Sequence, residues 1–63
     1  MSSDKLVEVG DMVIEDGRVF VVVKEHAMAG CCLLEDAIDG KHYYMDRYVA
    51  YALKQNADKA KEH

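Results

Sequence analysis

The stretch Met12-Val-Ile-Glu-Asp-Gly-Arg-Val-Phe-Val-Val-Val-Lys24 decides the fold. Asp16-Gly17 supplies the two positive-φ positions of a type I′ turn, whose twist matches the strands it joins. A two-residue loop also sets the register: Glu15 faces Arg18, Ile14 faces Val19, Val13 faces Phe20 and Met12 faces Val21. The first of these pairs is of opposite charge and the next three are apolar, so turn chemistry and side-chain pattern agree. Val19-Phe-Val-Val-Val23 is an unbroken run of β-formers, the pattern of a strand buried on both faces.

Working outward, Leu6 to Glu15 is strand-like and is interrupted by Gly10-Asp11, which predicts a bend or bulge. Residues 1–5 are polar and expected to fray. After a connection over Glu25 to Gly30, Cys31 to Ile38 precedes a second Asp-Gly pair, Asp39-Gly40, and then Lys41-His-Tyr-Tyr-Met45. A second tight hairpin on Asp39-Gly40 would pair Leu34 with Met45, Glu35 with Tyr44, Asp36 with Tyr43 and Ala37 with His42. Asp46 onward admits two readings. Asp46 caps a helix with an apolar stripe of Val49, Leu53, Ala57 and Ala60, or it opens a 3₁₀ turn followed by a fifth strand over Ala50 to Lys54. The second is favoured, with 55–63 as a polar, helix-prone tail. The expectation is a mainly β, single small domain over residues 6–54: a small barrel of about five antiparallel strands.

Sixty-three residues allow one domain, and one this small buries only roughly 60% of its unfolded surface. Hydrophobic residues make up 51% of the chain, which points either to a dense core or to apolar surface that meets a partner, including a second copy. Twelve acidic residues against eight basic ones, a net charge of −4, disfavour a general nucleic-acid binder, which needs a basic face to displace counterions. The N-terminal residues lack the apolar stretch of a signal peptide, and no run approaches membrane-spanning length, so no membrane association and a cytoplasmic setting are expected. In a reducing compartment the vicinal Cys31-Cys32 reads as two thiols rather than a disulfide.

The Val9-Gly-Asp-Met-Val13 opening, followed by a tight turn, a long β-branched strand and a second hairpin, resembles the SH3-like small barrels that include KOW and Tudor-type modules. That resemblance spans about residues 6–54 and implies a closed barrel. A Tudor-like member would cage a cationic side chain with tyrosines beside Glu35 or Asp36. A KOW-like member would associate with nucleic acid through Arg18, Lys24 and Lys41.

Chemistry-bearing motifs are sparse. On a strand, Cys31 and Cys32 point to opposite faces and cannot share one ion, and two ligands with His26 do not make a zinc site. His26 and Lys24 are the only nearby candidates to activate either thiol and no oxyanion-hole signature accompanies them, so no catalytic residue, metal or cofactor is expected. Asp16 and Asp39 are accounted for by turns. The most biased segment holds Tyr43, Tyr44, Tyr48 and Tyr51, a residue type favoured at binding surfaces. Those four rings, with an acidic rim from Glu35, Asp36 and Asp46, form the expected partner surface. The expected function is a non-enzymatic module that binds another protein with a basic surface, as in a small acidic inhibitor or regulator of a nucleic-acid enzyme. Homo-oligomerisation through an uncovered edge is compatible with the same sequence. The alternatives are a nucleic-acid-associated module and a metal or redox protein using Cys31 and Cys32.

Overall fold

The computed structural model describes residues 6–61, with side chains from Leu6 to Gln55. Four strands run as an antiparallel meander: β1 (Met12–Glu15), β2 (Arg18–Met28), β3 (Cys31–Asp36) and β4 (His42–Asp46). Helix α1 (Arg47–Lys61) follows β4 without a linker and lies across one face of the sheet. The Cα extents of 30 × 27 × 16 Å fit two layers, one sheet and one helix. The expectation about residues 1–5 falls outside the described residues.

The first hairpin has the expected register at all four pairs, with Asp16 at φ 54° and Gly17 at φ 77°. The expected bend upstream is also present. Asp11 N–H donates to Glu8 O across a turn with Gly10 at φ 99°, and Asp11 Oδ2 accepts from Glu8 N–H at 2.7 Å. Val22 then bonds both ways across the strand pair, accepting from Gly10 N–H and donating to Asp11 O, while the turn carries Val7 into the core.

The second hairpin differs from expectation. Leu34 pairs with Tyr43, Cys32 with Met45 and Glu35 with His42, a slip of two residues that keeps every side chain on its face. Gly40 adopts φ 76° but Asp39 does not share the positive region, so Asp39-Gly40 does not form a two-residue turn. The cause lies at Asp36. Its Oδ1 accepts from the N–H groups of Ile38 at 2.8 Å and Asp39 at 3.2 Å, and its carbonyl accepts from Gly40 N–H. A side chain that bonds the backbone two and three residues on competes with ladder pairing and opens a wider loop.

The closed five-stranded barrel is also corrected: the sheet is open, with four strands, and β1 and β4 are its edges. Where a fifth strand was expected over Ala50 to Lys54, the chain is helical. Asp46 Oδ1 accepts from Tyr48 N–H at 2.8 Å, an N-cap, and Arg47 N–H donates to Gly30 O at 3.0 Å. The helix turns Ala50 and Leu53 toward the sheet and leaves Val49 48% exposed, so the expected stripe is rotated by one residue at its start. Ala57 and Ala60 have side chains outside the described set. Residues 55–61, expected as a tail, continue the helix.

The core is Val7, Val13, Phe20, Val22, Cys32, Leu34 and Ala50, with Met45 and Leu53 against it. Lys54 Nζ lies 3.1 Å from Asp11 Oδ2 and ties α1 to the turn before β1. Replacing Asp46 by Ala is expected to cost about 1 kcal/mol in denaturant unfolding, with Asn retaining most of the stability.

Candidate functional site

Alternation along the strands divides the sheet into two faces. Strand β3 alternates strictly, with Cys32, Leu34 and Asp36 buried beneath the helix side and Cys31, Leu33 and Glu35 half-buried on the other. The helix covers the first face. On the second, cross-strand partners align as rows: Ile14 with Val19, then Met12, Val21, Glu35 and His42, then Lys24, Leu33 and Tyr44. Six of these residues, Met12, Ile14, Val19, Val21, Leu33 and Tyr44, are apolar or aromatic and form a diagonal band across all four strands. Met12 and Tyr44 of that band are exposed, and Ile14, Val19, Val21 and Leu33 are half-buried. The expectation that β2 is buried on both faces is therefore met on one only: Phe20 and Val22 lie in the core, whereas Val19 and Val21 are half-buried on the bare side.

The expected aromatic surface is split. Tyr44, 58% exposed, belongs to the bare sheet face. Tyr43 pairs with buried Leu34 and therefore lies on the helix side, where its ring meets Phe20 edge-on, with centroids 5.7 Å apart. Tyr48 sits about 200° around α1 from buried Ala50, so it faces away from the sheet and is 72% exposed. Tyr51 is exposed at the helix flank. The four rings share no surface and enclose no common space. The cation that rings do hold is the chain's own: the Arg18 guanidinium lies 5.3 Å from the Phe20 centroid and 5.5 Å from that of Tyr43.

The expected acidic rim is divided as well. Asp36 is buried, at 4% exposure, and faces inward. Its Oδ2 accepts from Arg18 Nη2 at 2.7 Å, and the same Nη2 reaches Tyr43 Oη at 3.3 Å. The Arg18 hydrogen bond, helped by the Ile38 and Asp39 amides and opposed by desolvation, holds the Asp36 carboxyl below its ordinary range. The same pair raises Arg18. Glu35 lies on the bare face, its Oε1 3.3 Å from His42 Nε2. Asp46 is spent on the helix cap.

One consequence went unseen in the sequence. Every backbone N–H from Asp36 to Lys41 is bonded: Asp36 to Lys41 O, Ala37 to Val19 O, Ile38 and Asp39 to the Asp36 carboxylate, Gly40 to Asp36 O and Lys41 to Asp39 Oδ1. The loop is rigidly specified, yet Ile38 at its tip is 91% exposed. The signal available was a second Asp three residues before Asp39, the spacing of a side-chain cap.

Cys31 and Cys32 take opposite faces as expected and are free thiols. Burial pushes the Cys32 thiol up, away from the thiolate form, and its Sγ lies 3.5 Å from Met45 O. Among the described residues no group of three or more His, Cys, Asp or Glu side chains converges as a metal site. Arg18, on the helix side, and Lys24, beside Leu33 on the bare face, do not combine with Lys41 into one basic patch. No helix among the described residues is long and apolar enough to cross a membrane.

Because the folded-state pKa of Asp36 is depressed, its contribution is full above the unfolded value near 3.9 and is lost as pH falls through the folded value. Asp36→Asn is expected to lower Tm by several degrees at neutral pH and to flatten the acid limb of a Tm–pH profile. An unchanged acid limb would show that the pair does not control it. No family model, no curated protein and no solved structure matches this chain.

Proposed function

We propose that this chain is a non-enzymatic protein-interaction module whose docking surface is the bare face of the sheet. The observation that carries this reading is the apolar band of Met12, Ile14, Val19, Val21, Leu33 and Tyr44 lying opposite the helix. An antiparallel sheet with one solvated face ordinarily alternates apolar-in with polar-out, and β1 and β2 do not alternate in that way. Contiguous apolar surface of this kind marks interaction sites. Of the residues expected at a partner surface, Tyr44 and Glu35 belong to it.

The rest of the exterior suits a partner of basic character. Net charge is −4, and the loop end of the sheet presents Glu15, Asp16 and Asp39 around the exposed Ile38. Such an end fits a protein bearing Lys and Arg, and a small acidic inhibitor or regulator of a nucleic-acid enzyme is a special case. The module acts without a cofactor, in the cytoplasm. An SH3-like origin, in which the last strand has given way to a helix, is compatible with the strand order.

The test compares proteins captured from the source lysate by three folded baits: wild type, Val21→Lys and Tyr48→Ala. Val21→Lys places its ammonium beside the cross-strand Glu35, which preserves the sheet while removing apolar contact. Binding lost with Val21→Lys and kept with Tyr48→Ala is expected. The reverse pattern would move the surface to the helix.

A further inference from the structure

We propose that the loop between β3 and β4 is an anchor, and that Ile38 at its tip enters an apolar socket rimmed by Lys or Arg on a partner protein. This rests on the reading of the chain as an interaction module for a basic protein, and it does not depend on what meets the bare sheet face. The first argument is where the fold sends Ile38. Asp39-Gly40 could close a two-residue turn, and Ile38 would then pair with Lys41 and share the inward face of Asp36. Instead the Asp36 carboxylate takes the Ile38 and Asp39 amides and the loop widens. Ile38 stands 91% exposed, more than any other large hydrophobic residue among those described.

The second argument is preorganisation. A side chain on a mobile loop loses conformational freedom when it binds, and a loop already fixed keeps that loss small. Asp36 is buried and its other oxygen is held by Arg18 at 2.7 Å, so the group that positions the Ile38 amide is itself locked in place. Phe20 pairs with Asp36, and Ala37 N–H donates to Val19 O at 2.9 Å, which holds the loop beside the Asp16-Gly17 turn. The third argument is charge. With Arg18 committed to Asp36, the charged residues described at this end are Glu15, Asp16 and Asp39 against Lys41. Carboxylates around an apolar tip favour a socket with cations at its rim and oppose an acidic one. An apolar anchor inside a polar rim is the ordinary anatomy of an interface.

Site-specific photo-cross-linking of the intact chain in its source lysate tests the proposal. A photoreactive phenylalanine analogue replaces Ile38 in one bait and Tyr44, on the bare face, in another. Mass spectrometry of the joined peptides identifies each linked protein, and the one linked from the loop is purified and titrated. Ile38→Ser is expected to weaken its binding roughly tenfold or more and Ile38→Val less than about threefold, both melting as wild type because the site is exposed. Asp39→Asn, whose Oδ1 still accepts from Lys41 N–H, is expected to weaken binding about threefold, and added salt to weaken wild type more than this variant. A partner linked only from the Tyr44 position would overturn the loop as anchor and leave the docking reading standing. A partner linked from the loop whose affinity ignores Ile38→Ser would overturn the anchor, and one indifferent to Asp39→Asn and to salt would overturn the cationic rim. No link from either position would overturn the anchor together with the interaction reading.

Discussion

A sheet has two faces, and this chain places one helix against them. That constraint governs the rest of the structure. Ala50 and Leu53 of α1 complete the core over Val13, Phe20, Val22, Cys32 and Leu34. The opposite face receives no second layer from the described residues, although β2 supplies valine to both sides. In a domain of this size each apolar side chain left in water subtracts from a small margin of stability. Val19, Val21 and Leu33, half-buried on that face, are the reason it is proposed as the docking surface.

The second organising contact is the Arg18–Asp36 pair. It joins the start of β2 to the end of β3 and places the guanidinium against Phe20 and Tyr43. Through the other carboxylate oxygen it holds the loop that presents Ile38. One ion pair thus closes the rim of the core and shapes the exposed end of the molecule. Its energetic importance comes from burial: a carboxylate deprived of water must be satisfied by the protein, and here the guanidinium and two amides do so.

What was legible in the sequence was local. Asp16-Gly17 with complementary flanks gave the first hairpin to the residue, because a two-residue turn leaves the register no freedom. The second Asp-Gly pair misled because Asp36 captures the following amides, and that competition depends on a carboxylate buried by tertiary structure. The choice between helix and fifth strand after Asp46 also turned on tertiary context. Tyr-Val-Ala-Tyr-Ala-Leu has mixed propensity, and the Asp46 cap with the Gly30 contact tips it to helix. The candidate surface was half legible. The unbroken apolar run of β2 announced a strand needing cover on both sides, whereas the cluster of tyrosines drew attention to rings that the fold sends in different directions.

The most direct test of the central claim is methyl NMR of the protein with and without a partner captured from the lysate. The account predicts shift changes confined to Ile14, Val19, Val21 and Leu33, with Val22 and Leu34 beneath the helix unmoved. Changes centred on Val49 and Leu53 would contradict a docking site on the bare sheet face.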